Sequence, residues 1–280
     1  MPIKPAPRTP SSKPSPLAIW RKKLSLSLHL LSGALRTPFY GSPFSARGVR
    51  TVRHWHAQAC RALAVDVTTQ GEAQSGVLFI CNHISWLDIP VLGSQLPGVR
   101  FLAKSEIRSW PLIGWLAARA GSLFIERGNG QNTVQHISHA LQQGHSVLIF
   151  PEGTTTDGLS LRRFHPRLLQ AAHEANAAIQ PLALRYLDAQ ETPNPRVAYI
   201  DDDRFGDTLQ RIVHENGVRA EVHFLALIHP EATPRSQLAT LAHARISEAL
   251  PHVLPSCPPA DPSDKPLACD KVARNRSSVT

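Results

Sequence analysis

Between residues 17 and 35, LAIWRKKLSLSLHLLSGAL, the apolar positions Leu17, Trp20, Leu24, Leu28, Leu31 and Leu35 recur at steps of three or four, which is one face of a helix. Arg21, Lys22, Ser25, His29 and Ser32 lie off that stripe. A second segment, FSARGVRTVRHWHAQACRAL (44–63), sets Val52, Trp55, Ala59 and Leu63 against a basic side. The longest stretch of the first helix free of Lys and Arg, Leu24 to Leu35, is twelve residues. A span of the bilayer needs about 20. The pattern predicts a pair of interfacial helices with apolar faces in lipid and basic residues among head groups. Docking of the same faces on a folded core gives the same pattern, and so does an organelle transit peptide.

From residue 76 the pattern changes. GVLFIC (76–81), VRFLA (99–103), SLFIE (122–126), SVLIF (146–150) and IQPLALRYL (179–187) are short apolar runs of strand length. Helix-like stretches near 85–96, 110–118, 133–143 and 167–178 join them, the third closed by Gly144. Two later strands near 196–200 and 220–228 and a helix near 235–250 complete the series. Alternation of this kind predicts an α/β domain: a mixed, largely parallel sheet flanked by helices, preceded by the basic amphipathic pair.

Composition sharpens the boundaries. Of 24 prolines, six lie in residues 1–16 and six in 251–280, so both ends read as tails without a core. The expected division is a tail at 1–16, a membrane-associating helical segment at 17–65, an α/β domain at 66–250 and a tail at 251–280. Eleven Lys or Arg and no Asp or Glu precede residue 66, leaving 19 basic against 21 acidic residues beyond it. The whole net charge of +9 therefore belongs to the N-terminal segment, whose partner is an anionic membrane surface or a nucleic acid. The membrane is preferred, because the basic residues interleave with an apolar helix face and no aromatic stacking platform accompanies them. Four cysteines without C-x-x-C spacing imply neither a disulfide framework nor a zinc site, and fit a reducing compartment.

Candidate chemistry gathers where strands end, the usual address of ligand sites in such sheets. CNHISWLD (81–88) puts His83 just past a strand and Asp88 five positions on. Folded back, the carboxylate would orient the imidazole and leave its other nitrogen as a general base. The same residues also read as a capping box, Ser85-x-x-Asp88, serving helix initiation alone. FPEGTTTDG (150–158) exposes backbone N–H groups after a strand and suits an anion, or is a plain turn. It lacks the G-K-[ST] of a nucleotide-binding loop. Arg127, ending GSLFIER (121–127), is a candidate clamp for phosphate or carboxylate, or a surface ion-pair partner. No G-x-S-x-G, G-x-G-x-x-G or H-E-x-x-H occurs, and Cys81 reads as a small buried apolar residue.

Taken in order, NHISWLD (82–88), GSLFIER (121–127), FPEGT (150–154) and IQPLAL (179–184) resemble the four blocks of the glycerol-phosphate/lysophospholipid acyltransferase superfamily, the 1-acylglycerol-3-phosphate acyltransferase type in particular. FLAKSEIRSWPLIGWLA (101–117) is similar to the region between the first two. The resemblance implies transfer of an acyl chain from acyl-CoA or acyl carrier protein to a lysophospholipid hydroxyl, without metal, cofactor or acyl-enzyme. It assigns His83 as base and Asp88 as its support. It puts Arg127, Glu152, Gly153 and Thr154 on the acceptor, with Lys104, Arg162 and Arg163 as further candidates. The expected place is the cytoplasmic face of an inner membrane. Where such enzymes often carry arginine after E-G-T, Thr155 and Thr156 stand here, and His165 replaces a common lysine. The first acceptor expected is 1-acyl-glycerol-3-phosphate, giving phosphatidic acid; the alternative is a lysolipid without glycerol phosphate, such as a lyso-ornithine lipid. A non-catalytic lipid-binding protein on the same fold is the reading from another class.

Overall fold

The computed structural model describes residues 14–39, 41–126, 130–200, 202–231 and 233–251. The two expected tails fall almost wholly outside them. The chain opens with helices α1 (Pro16–Arg36) and α2 (Ala46–Ala62). Ser15 caps the first, its hydroxyl accepting from the Ala18 N–H, and Ser45 caps the second by accepting from Gly48 N. There follow β1 (Val65–Gln70), β2 (Leu78–Cys81), α3 (Asp88–Gln95), β3 (Val99–Lys104), α4 (Ile113–Arg119), β4 (Leu123–Ile125), α5 (Gly130–Gln142) and β5 (Ser146–Ile149). The chain continues through α6 (Gln170–Ala175), β6 (Ile179–Leu187), α7 (Phe205–Val213), β7 (Val218–Phe224) and α8 (Arg235–Ala249).

Among the described residues the strands form one sheet in the order β1-β7-β6-β2-β5-β3-β4. All neighbours run parallel except β6 and β7. The central strands β2 and β5 are buried at every position, as a sheet covered on both faces requires. Period-two alternation sends Phe79 and Cys81 to one core, with residues of α2, α3 and α7, and Leu78 and Ile80 to the other, with α5, α6 and α8. This is the expected fold class, with the N-terminal helices in place.

Four elements differ from the sequence pattern. Residues 196–200 form no strand: Pro195 starts a short 3-10 turn whose Arg196 N–H is taken by the Asn194 side chain. β7 stops at Phe224, and only Ile228 returns to bridge Ile179. β1 and α7 were not anticipated. β1, VDVTTQ, is an edge strand buried only at its start, so it carries little apolar signal.

The two basic helices part company. On α1 the stripe stays exposed, with Leu17 at 66% and Leu35 at 64%, while Ile19, Leu26, His29 and Gly33 face the protein. On α2 the stripe is covered, correcting the expectation that it meets lipid: Cys60 and Leu63 join the core and the Trp55 ring stacks on His29 at 4.6 Å. Gly33 is what allows that approach, since a Cβ there would sit 2.5 Å from Trp55 Nε1. No helix among the described residues is long and apolar enough to cross a membrane.

Candidate active site

β2 ends at Cys81 and the chain turns through residues 82–87 before α3 begins, so His83 stands at the C-terminal edge of the sheet beside β5 and β6. Asn82 anchors the turn. Its amide donates to Leu184 O at 2.9 Å, and its Oδ1 accepts from Leu184 N at 2.8 Å, completing the ladder to β6 where the strand itself has stopped.

Asp88 is fully buried at the start of α3. Its Oδ2 accepts from His83 Nδ1 at 2.7 Å, from Ile84 N at 2.8 Å and from Ser85 N at 3.1 Å. Its Oδ1 accepts from the Tyr186 hydroxyl at 2.8 Å. The carboxylate thus closes the turn and grips the imidazole at once. Ser85 Oγ finds no partner, so only the half of a capping box in which the carboxylate reaches back is formed. Because an ionised carboxylate only accepts, Nδ1 carries the proton and Nε2 keeps a lone pair. The His83 side chain is 22% exposed and stacks on Phe150, ring centroids 3.9 Å apart and 12° from parallel.

The segment after β5 holds the backbone of the turn. His83 N donates to Glu152 Oε1 and Arg162 N to Glu152 Oε2, both at 2.8 Å, while Thr156 N donates to His83 O at 2.8 Å. Burial pushes the Glu152 carboxyl up to about 7, the Asp88 charge adding to it against the pull of the two backbone N–H groups. Burial likewise raises the Tyr186 hydroxyl well above the ordinary range, with the Asp88 charge next, so the phenol keeps its proton and donates. Cys81 is raised well above its usual range by burial and then by the Asp88 and Glu152 charges, which removes a thiolate nucleophile from the site.

Of the residues singled out in the sequence, His83, Asp88 and Glu152 come together in one network. Glu152, placed on the acceptor by resemblance, is buried, and both its oxygens serve the chain itself. Gly153 (φ +72°) and Thr154 are exposed on the same turn, and Arg162 and Arg163 are exposed where the loop returns. Thr155 instead donates to Tyr199 O. Lys104 is exposed at the end of β3, in register with Ile125 of β4. Arg127 lies outside the described residues. No cluster of three metal-ligating side chains occurs among the described residues.

Tyr186 and Asn82 were not singled out by sequence. A tyrosine on the same strand face as Leu182 and Leu184 was the available signal, since a buried phenol needs a partner.

Residues 63–185 match the family model described as acyltransferase. The chain is 41% identical over 222 residues to the lyso-ornithine lipid O-acyltransferase of Pseudomonas aeruginosa, covering 78% of this chain and 84% of that protein. It is 38% identical over 160 residues to the 1-acyl-sn-glycerol-3-phosphate acyltransferase of Neisseria gonorrhoeae, covering 56% and 62%. The crystal structure of the 1-acyl-sn-glycerophosphate acyltransferase PlsC from Thermotoga maritima superposes with a TM-score of 0.65 over 84% of this chain and 94% of that one, at 15% identity, a likeness of fold.

Proposed function

The chain belongs to the acyltransferase family, of the lysophospholipid type, and on that premise we propose that it esterifies a lysolipid hydroxyl with an acyl chain from a thioester, acyl carrier protein or acyl-CoA. The observation that carries the reading is the His83 imidazole, held through Nδ1 by Asp88 with Nε2 left to act. Nε2 takes the hydroxyl proton as the oxygen attacks the thioester carbonyl. Asp88 stabilises the imidazolium that forms. The C–S bond breaks as the C–O bond is completed, and the proton passes from His83 to the departing thiolate. Tyr186 and the Ile84 and Ser85 N–H groups spread the Asp88 charge, and Glu152 fixes the His83 backbone.

The acceptor is a lyso-ornithine lipid. Two observations favour it over 1-acyl-glycerol-3-phosphate: the long match to the Pseudomonas protein, and Thr155 and Thr156 in place of arginine after E-G-T. Arg127, Gly153, Thr154, Lys104, Arg162 and Arg163 are the candidates for its head group. Residues 17–65 associate with an anionic membrane surface at its cytoplasmic face, α1 lying in the interface, and 66–250 carry the chemistry. Purified protein with a thioester donor and each acceptor in turn tests the assignment. Mass spectrometry should find ornithine lipid formed faster than phosphatidic acid, and the reverse order overturns this acceptor.

A further inference from the structure

The segment joining β3 to β4 exposes three large apolar side chains within six residues: Trp110 at 41%, Leu112 at 37% and Trp115 at 42%. A folded core gains nothing from that exposure, and the backbone beside it is strained. Leu112 sits at φ +63°, a region disfavoured for a branched, bulky residue. Gly114 closes the reversal, since a Cβ there would lie 2.3 Å from Arg108 O.

This hairpin connects two parts of the molecule. At its far end Arg119 Nη2 donates to Thr37 O at 3.1 Å, tying α4 to the end of α1, where Leu35 and Phe39 are 64% and 78% exposed. At its near end Trp110 meets Phe205 edge-on at 6.2 Å, and Phe205 meets Trp86 at 4.8 Å. Trp86 belongs to the turn between His83 and Asp88. An apolar rim therefore runs from the exposed face of α1, across the hairpin, to the catalytic turn.

The charge along the α1 and hairpin parts of the rim is basic, while Asp202 and Asp207 are exposed at its Phe205 end. A cleft of about 380 Å³ between α1, α2 and α4 is lined by Arg36, Arg47, Arg50 and His54 without an acidic residue. Lys104, Arg108 and Arg119 are exposed along the hairpin, opposed by Glu106 alone between Lys104 and Arg119. Tryptophan and leucine flanked by cations is the composition of a surface that enters the head-group region of an anionic bilayer.

We propose that the hairpin around Trp110, Leu112 and Trp115 is a second bilayer-contacting element, continuous with α1, that sets the catalytic turn against the lipid surface. It rests on the reading of the chain as a membrane-surface enzyme. It goes further, because α1 alone would tether the domain without orienting it. Two contacts fix the orientation, and a lysolipid passes from the bilayer to His83 along the rim.

The test uses the full chain and vesicles of phosphatidylglycerol and phosphatidylethanolamine, with and without brominated acyl chains, which quench nearby tryptophan. Trp115→Phe and Trp110→Phe should each remove part of the bromolipid-dependent quenching, as Trp20→Phe should for α1. Quenching confined to Trp20 overturns the hairpin contact while leaving the membrane reading intact. No quenching at any of the three overturns both. In parallel, Leu112→Ser/Trp115→Ser should lower the ratio of transfer to vesicle-borne lysolipid over transfer to a monomeric short-chain lysolipid by about tenfold or more. An unchanged ratio overturns the proposal. So does a loss seen only with acyl carrier protein as donor while vesicle binding is unchanged, which would make the hairpin a docking surface for that acidic protein.

Discussion

Tyr186 donates the fourth hydrogen bond to a carboxylate that already accepts three, and each donor draws charge from the group that holds His83. Tyr186→Phe keeps the shape and removes that donor, leaving Asp88 Oδ1 buried and short of a partner. The expected cost is about 1–3 kcal/mol of stability by denaturant titration. A carboxylate short of that donor holds the imidazole less firmly, so kcat should fall while KM stays near its original value. A loss of stability with an unchanged kcat would reduce Tyr186 to a packing residue. Glu152 makes a second prediction. Its carboxyl is raised from the ordinary 4.5 to about 7, so across that window the folded protein binds more protons than the unfolded chain, and stability falls as pH rises. The fall attributable to this group is about 3 kcal/mol, a tenfold change in proton affinity being worth about 1.4 kcal/mol, and it is complete above the raised value. Glu152→Gln should abolish that slope between about pH 4.5 and 7. An unchanged slope in thermal melts would mean that another group carries it. The pairing of His83 with Asp88 was legible as spacing at a strand end. The roles of Tyr186 and Glu152 were not, because both depend on which strands become neighbours: β6 lies beside β2, and the segment after β5 lies over the turn.

The helices show how far a periodic pattern reaches. α1 and α2 begin and end within two residues of the stretches the spacing marks, since caps and hydrophobic steps are local. Whether an apolar face meets lipid or protein is not local, and the two helices answer differently. α2 is covered because Gly93 of α3 admits the His56 ring, as Gly33 admits Trp55; a Cβ at Gly93 would lie 2.5 Å from His56. The α1 stripe has no such counterpart. Replacing Leu24, Leu28 and Leu31 together by serine should reduce sedimentation with anionic liposomes by about tenfold or more. The cost to stability should stay small, near 0.5 kcal/mol or less for each exposed position. Unaltered sedimentation would remove α1 from the membrane contact, and preferential binding to RNA would restore the nucleic-acid reading of the basic N-terminus. α3 begins at Asp88, three residues later than the sequence suggests, and the Asp88 carboxylate reaches back to accept from the N–H groups of Ile84 and Ser85.

Over the whole molecule, charge, apolar exposure and chemistry are arranged in sequence. The N-terminal 65 residues carry the entire net charge, the α1 face and the β3–β4 connection carry most of the large exposed apolar side chains, and the turn after β2 carries the His83–Asp88 pair. Alternating strands and helices made the α/β architecture readable. The antiparallel direction of the β6–β7 pair was hidden because partner choice across long stretches leaves no local mark, and the edge strand β1 because it is polar and half-exposed. If His83 Nε2 removes the acceptor's proton, its loss must show in the rate of transfer. That rate is read from ester formation by purified His83→Ala, its fold checked by circular dichroism, on the acceptor the unsubstituted chain uses best. Removal of a general base should slow the reaction on the order of 10²–10⁴-fold. A folded His83→Ala protein that transfers the acyl chain at the unsubstituted rate would leave the imidazole no part in the reaction.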